Sequence, residues 1–424
     1  MSTARQDGPS VLVMGPPRYV GPLGTMRSLG RLGVRVYGLK HQDRSASSSS
    51  RYCAGTFSVG QDGRPSDDEA RTLSELVEAG RRLGRGAILI PGSDEWAVFV
   101  ARHSAELARW FTLQVVPVDL IEELAAKDGL YRLAKTHGLP TPEIVFPLNR
   151  EQAFAAAARL KYPVMLKPVR SRPDVLEKAV AANPQELLDA YQWMEESADA
   201  PNVMFQEYIP GGDRDVWIFN GYFNAESRCV AAFTGVKLRQ HPAKMGIASL
   251  GELRQNDTVI KATCDFMCAV GYRGIVDIGY RFDGRDGQYK VLDINPRLGG
   301  AFRMFVDESG TDVVRAMYLD LTGQTVPTIM SRDGRRWINE TADLVASVRY
   351  HRLDGLSFAA WMRSLSGVRE GATWGLDDPL PFIVAIASLV RETLSAKLRR
   401  GLKRVQLAVS KRFPALARSQ ENLA

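Results

Sequence analysis

Residues 290–300 read KVLDINPRLGG and set an acid, an amide and a guanidinium, Asp293, Asn295 and Arg297, within five positions at the end of an apolar run. Val291, Leu292 and Ile294 favour a strand, and Asn295-Pro296 ends one. Strand positions two apart project to the same face, so the Asp293 carboxylate and the Asn295 amide oxygen stand side by side. Two hard oxygen donors suit Mg²⁺, with Mn²⁺ as a substitute, better than softer metals. Arg297 adds a fixed cation next to them. A strand end with a turn and solvated polar residues would spell the same letters, so the string alone does not decide the matter.

Lys167 in VMLKP is a second oddity. A lysine at the centre of an apolar strand is costly to bury unless it meets an anion; the alternative is an edge strand with the lysine turned outward. Lys127 poses the question less sharply, because a lysine at a helix start is normally solvated.

The surrounding pattern supplies elements to position these groups. SVLVMGPP followed by RYVGPLGTMRSLGRLGVRVYGL predicts strand, glycine loop, helix and strand, the opening of a βαβ unit with a parallel sheet. Gly15, Gly21 and Gly24 do not match the dinucleotide fingerprint, which disfavours a dinucleotide-dependent oxidoreductase. AILIPGSDEWAVFVARH predicts another strand and helix, with Ser93-Asp94 at the cap. Further on, NVMFQEYIPGGDRDVWIFNG predicts two strands about a Pro-Gly-Gly turn. GIVDIGYRFDGRDGQYKVLDINPR predicts a hairpin turned at Gly284–Gly287.

In order along the chain, AAKDGLYRLAKTHGLPTPE, YPVMLKPV, FQEYIPGGDRDVWIF and VDIGYRFDGRDGQYKVLDINPR resemble the ATP-grasp superfamily of carboxylate–amine and carboxylate–thiol ligases, over about residues 120–300. The resemblance implies an α/β protein in which a parallel-sheet pre-grasp domain precedes an α+β grasp core of two subdomains. It implies ATP and one or two Mg²⁺ as cofactors, and small carboxylate and amine substrates. Lys127 and Lys167 would contact phosphates, Glu207, Tyr208 and Ile209 would read adenine, and Asp215 would hold the ribose. Asp277, Asp293 and Asn295 would hold metal, and Arg297 would stabilise charge on the transferring phosphoryl group. The reaction then needs no protein nucleophile, since the substrate carboxylate attacks ATP and an amine displaces phosphate from the acyl phosphate.

Two positions depart from the family pattern. The first metal acid commonly stands fourteen residues before the second, which here is Gly279; Asp277 on the same strand face is the expected substitute, with Asp283 in reserve. In place of a glycine-rich lid the chain has VRSRPDVLEK, where Arg170, Ser171, Arg172 and Lys178 would cover phosphate by side chain or form a solvated loop. Downstream, Lys237 and Arg239 alternate on a predicted strand, and with Arg303 they are candidate contacts for the acceptor carboxylate or plain surface residues.

Composition bounds the remainder. With 424 residues, 45% hydrophobic and 24% charged, about three domains are expected, drawn at 1–120, 121–200, 201–330, a small extension at 331–378 and a tail at 379–424. Four cysteines without CxxC spacing and five scattered histidines disfavour a zinc enzyme. From Pro379 onward nine basic residues face two acids, leaving 46 of each sign over residues 1–378 (55 less nine, 48 less two). A neutral body disfavours a nucleic-acid-binding protein. In the tail, Val390, Leu394, Leu398, Leu402, Val405, Val409 and Phe413 draw one apolar stripe beside basic residues. Residues 390–413 would thus lie on an anionic membrane surface, or pack on the body or in a homodimer. With no apolar leader or spanning run apparent, the expected location is cytoplasmic, peripheral on the inner membrane face if the tail binds lipid. The competing readings are a thiol- or bicarbonate-using ligase and a non-catalytic ATP-binding module.

Overall fold

The run SVLVM becomes a strand buried along its whole length, since a strand covered on both faces reads as continuously hydrophobic. The computed structural model describes residues 8–169, 178–196 and 203–395. Strands β1 (Val11–Met14), β2 (Val36–Leu39), β3 (Cys53–Phe57), β4 (Ala87–Pro91) and β5 (Phe111–Thr112) form a parallel sheet of order β3-β2-β1-β4-β5. Helices α1 (Gly21–Gly30), α2 (Glu69–Leu83), α3 (Asp94–Arg102) and α4 (Ser104–Leu107) connect these strands. The order reverses at β1, so the loops after β1 and β4 border the crevice where such sheets take ligands. α3 begins there, its first turn capped by the Ser93 hydroxyl, which accepts from the Trp96 amide.

Next come α5 (Val118–Ala125) and α6 (Lys127–Thr136). Their Leu124, Leu130, Tyr131 and Ala134 share a core with Phe219, Val276, Ile278 and Ile294. Residues 121–136, expected in the small subdomain, therefore pack on the large one. The small subdomain is an antiparallel sheet of order β6-β9-β7-β8, made of β6 (Ile144–Val145), β7 (Val164–Pro168), β8 (Ala179–Ala181) and β9 (Val203–Glu207), with α7 (Arg150–Ala157) and α8 (Pro184–Glu196) against it. Because β9 pairs with β7, the chain changes sheets after Glu207 rather than at residue 200.

The large sheet has the order β14-β13-β10-β11-β12-β15-β16. It contains β10 (Val216–Phe223), β11 (Cys229–His241), β12 (Ile247–Leu253), β13 (Gly274–Asp283) and β14 (Gln288–Asn295). Helix α9 (Asp257–Ala269) covers one face and α10 (Val313–Leu321) the other. The β13–β14 hairpin turns where the sequence predicts. Segment 331–378, expected as a small extension, lengthens this sheet: β15 (Arg336–Ile338) pairs with β12, and β16 (Val368–Gly371) pairs with β15. Helices α11 (Glu340–Asp354) and α12 (Phe358–Ser364) lie between those two strands in sequence, and a further helix runs over residues 380–395.

A buried ion pair joins the two ends of this architecture. Arg27 of α1 and Asp378 are each 1% exposed and 3.0 Å apart, and the guanidinium also donates to the Thr373 and Asp378 carbonyls. Removing one partner of a buried pair strands the other charge in the interior. Asp378→Ala is therefore expected to cost ~3–5 kcal/mol of stability, read as a lower urea midpoint.

Candidate functional site

The hairpin of β13 and β14 builds the floor of the site. Asn220, Asp277 and Asn295 lie directly opposite one another on β10, β13 and β14, so their side chains share one sheet face. The Asn295 amide donates to the Asp293 carboxylate and to the Asp277 carbonyl, both at 3.1 Å. The Asn220 amide, fully buried, donates to Asp277 at 3.4 Å, and its oxygen has no partner among the described residues. Arg297 donates through Nη2 to Asn295 Oδ1 at 2.9 Å and through Nε to Asp94 at 3.0 Å, reaching from the large sheet to the first turn of α3. Asp293, Asn295 and Arg297 are thus brought together with Asp277.

The small sheet supplies the opposing cations. Lys167 lies buried on β7 with its ammonium on Gln206 Oε1 at 2.8 Å; Tyr131 donates to the same oxygen. Lys127 starts α6 and donates to the Pro168 carbonyl at 2.7 Å. Across the cleft, Lys237 of β11 donates to the Gly246 carbonyl at 2.8 Å, while Lys178 donates to the adjoining Met245 carbonyl at 2.6 Å. One turn between β11 and β12 therefore receives a lysine from each sheet.

These charges shift one another. Burial, with Lys178 adding repulsion, drops the Lys167 ammonium to about 7. Burial also lowers Lys237. It lifts the Asp277 carboxyl to about 6 against the pull of Arg297. Depth in the cleft would raise Asp293, but Lys237, the Asn295 amide and Lys167 outweigh it and hold that carboxyl below its usual range. Above pH 7 the Lys167 amine is thus largely neutral without ligand, and a bound polyphosphate would restore its charge. Binding of ADP at pH 8 is expected to take up part of a proton, an uptake that fades below pH 7 and shrinks in Lys167→Met. Calorimetry in buffers of different ionisation enthalpy measures it.

At the hinge, the Glu207 carboxylate is occupied: Arg285 donates to it at 2.5 Å and the Glu143 amide at 3.1 Å, with Lys290 3.6 Å away. Among the described residues the peptide groups of Tyr208 and Ile209 make no backbone–backbone hydrogen bond. Asp215, half-buried beyond the hinge, accepts from the Gly212 amide at 2.7 Å. Ser171, Arg170 and Arg172 lie outside the described residues.

Three candidates fall away from the cluster. Arg303, in the segment that follows β14, is buried between Asp312 and Glu370 of β16, so no free guanidinium is left for a substrate carboxylate. Arg239 is paired with Asp343 of α11 at 2.7 Å; a bulge between Lys237 and Arg239 breaks the alternation that would have kept them together. Asp283 is fully buried against Arg285 and Lys290 at the hairpin turn, and serves the hinge rather than a metal. Asp94, read from sequence only as part of a helix cap, and Gln206 and Asn220 were not singled out as site residues. Only Asn220 carried a signal there, a polar residue in the otherwise apolar IFNGYF, much as Lys167 stands in VMLKP.

Two carboxylates and one amide are fewer protein donors than a structural metal cage needs, and no group of three His, Cys, Asp or Glu side chains is assembled among the described residues. That donor set fits Mg²⁺, which is commonly held by one or two carboxylates with substrate phosphates completing its shell. Beside Arg297, about 550 Å³ of partly open space is lined by Pro91, Ala97, Gln114, Tyr272 and Pro296, where the parallel sheet meets the large one.

No family model matches the chain. A D-aspartate ligase of Enterococcus faecium (strain Aus0004) is 24% identical over 242 residues, 54% of this chain; the match spans only 57% of that relative's length. Among solved structures, the biotin carboxylase domain of a Hydrogenobacter thermophilus 2-oxoglutarate carboxylase, in complex with MgADP, ADP and bicarbonate, superposes with TM-score 0.60. It is 17% identical, over 78% of this chain and 74% of that one. An L-amino acid ligase from Bacillus licheniformis gives TM-score 0.57 at 14% identity, over 78% and 79% of the two chains. N5-carboxyaminoimidazole synthetase from Staphylococcus aureus complexed with ADP gives 0.59 at 12% identity, over 77% and 80%.

Proposed function

Taking the ATP-grasp fold of this chain as the premise, we propose that the protein is an ATP- and Mg²⁺-dependent carboxylate–amine ligase forming an amide through an acyl phosphate. The observation that carries the reading is the facing of Lys167 and Lys237 across one cleft onto Asp277, Asp293, Asn295 and Arg297. The D-aspartate ligase and L-amino acid ligase likenesses support amide formation over a thiol or bicarbonate acceptor.

In this reading Lys127 and Lys167 grip the phosphates, backbone groups of Glu207, Tyr208 and Ile209 read adenine, and Asp215 holds the ribose. Asp277, Asp293 and Asn295 would hold Mg²⁺, which neutralises phosphate charge when bound. A carboxylate oxygen of the substrate, steered by Lys237, attacks the γ-phosphorus and expels ADP. Arg297 neutralises the charge that builds on the transferring group. The amine then attacks the acyl carbon, phosphate leaves with the bonding pair, and the nitrogen gives up a proton. The space beside Arg297 supports a second substrate approaching between the parallel sheet and the large one.

The test is phosphate release from Mg·ATP across pooled carboxylates and amines, with Asp293→Ala as control. Release that needs both pools and vanishes in the variant is expected. Release with a carboxylate alone would move the reading to another nucleophile. Nucleotide binding without release in any pool would favour the non-catalytic module.

Membrane attachment through residues 390–413 belongs to the same proposal. The stripe lies outside the described residues beyond Ser395; within them, Leu380, Ile383, Ala387, Val390 and Leu394 of helix 380–395 point outward, which supports an external partner over packing on the body. No helix among the described residues is long and apolar enough to cross a membrane.

A further inference from the structure

Of the 22 large apolar side chains exposed among the described residues, twelve fall between Leu344 and Leu394, a span of 51 residues. Six of them belong to α11 and α12: Leu344, Val345, Val348, Leu353, Phe358 and Met362. α11 is apolar on both faces. Ala346 and Tyr350 are buried on its inner side, against β11 and β12, while Leu344, Val345 and Val348 stand uncovered on the outer side. The serine-capped turn into α12 brings Phe358, 74% exposed, and Met362 onto the adjoining helix, which Trp361 ties to α11 through Asp343.

Charge says what would cover this patch. Residues 340–395 hold seven acids, and every one is engaged. Glu340 accepts from the Thr373 and Trp374 amides. Asp343 is bound to Arg239, Asp354 to Lys244, Glu370 to Arg303 and Arg335, Asp377 to Arg31, Asp378 to Arg27, and Glu392 to Arg18. Of the five arginines in the span, Arg391 alone is in an ion pair among the described residues, with Asp43. Arg349, Arg352, Arg363 and Arg369 are exposed and have no acidic partner among the described residues. The unneutralised charge around the apolar patch is therefore positive.

We propose that α11 and α12 form a docking face for an anionic membrane surface, with Leu344, Val348, Phe358 and Met362 entering the headgroup boundary and Arg349, Arg352 and Arg363 meeting lipid phosphates. Apolar side chains flanked by arginines on helices lying in the plane of contact are what an anionic interface selects. The proposal deepens the membrane reading given above but rests on different residues.

Flotation of the full chain with phosphatidylglycerol-rich vesicles, against vesicles of phosphatidylcholine alone, tests it. Wild type should float with the first and not the second. The double variants Val348→Asp/Phe358→Asp and Arg349→Gln/Arg352→Gln should each lose at least about tenfold in bound fraction. Their urea midpoints and nucleotide binding should stay unchanged, since the substituted side chains are exposed. Wild type floating while both variants float equally would overturn the α11–α12 face and leave attachment to the tail. No flotation of wild type would overturn both membrane readings, with phosphate release still judging the ligase separately. A wild-type dimer in light scattering that the apolar variant splits would assign the face to a second copy and overturn the proposal.

Discussion

Replacing Arg297 by alanine is expected to lower kcat for ligation by about 10³-fold while leaving the affinity for ADP within about threefold. The guanidinium is 14% exposed and is aimed from both sides, by Asp94 through Nε and by Asn295 through Nη2. A cation fixed in this way costs little reorganisation when charge develops on the transferring phosphoryl group, and that charge is absent from bound ADP. The loss should therefore appear in kcat and spare nucleotide binding. Arg297→Lys should recover little, because a point charge cannot span Asp94 and Asn295 together. Asp94→Asn, which loosens the guanidinium without removing it, should fall between the two. A kcat for Arg297→Ala within about tenfold of wild type would remove Arg297 from the chemistry.

The second large effect concerns the position where the family pattern has an acid. Gly279→Asp is expected to destroy activity rather than improve it, cutting turnover at least about 100-fold and weakening Mg²⁺-dependent ADP binding. Gly279 stands directly opposite Asp293, and a Cβ built there would lie 2.4 Å from Asp293 Oδ1. Asp293 fills the space a side chain would need, so a larger residue must push out the acid that neighbouring lysines keep ionised. Gly279→Ala should show most of the same loss, since the first carbon already collides. Asp277→Asn should also lose activity if, as proposed, that residue takes the metal role the pattern gives to position 279. Steady-state turnover and a Mg²⁺ titration of ADP binding measure all three, and a gain of activity in Gly279→Asp would mean the site lacks an acid that Asp277 does not replace.

Local grammar explains what was legible in advance. The β13–β14 hairpin, the Ser93 cap and the opening βαβ unit depend on residues a few positions apart, and the structure follows the reading in each case. Lys167 was visible because a charge in an apolar strand needs a reason. Apart from Asp283, whose partners Arg285 and Lys290 are two and seven residues away, the misplacements come from contacts the local pattern does not show. Arg303 looked available because Asp312 is nine residues away and Glu370 sixty-seven. Arg239 and Lys237 looked like neighbours on one face because a bulge leaves no mark in the alternation of side chains. Asp94 is 203 positions from the guanidinium it orients, and only the meeting of two sheets brings them together. The same distance hid β15 and β16, whose short strands carry no sign of which sheet they will extend.

The clasp between Arg27 and Asp378 also has a bearing on how the chain is made. Its partners are 351 residues apart. At a synthesis rate of about 5–20 residues per second, Arg27 leaves the ribosome roughly 20–70 s before its counter-ion exists. During that interval the parallel sheet can form, but α1 carries a guanidinium that the finished protein buries completely. A nascent chain arrested short of residue 378 should therefore expose α1 to proteases that cannot reach it in the released protein, so the first helix to be translated is among the last to be secured.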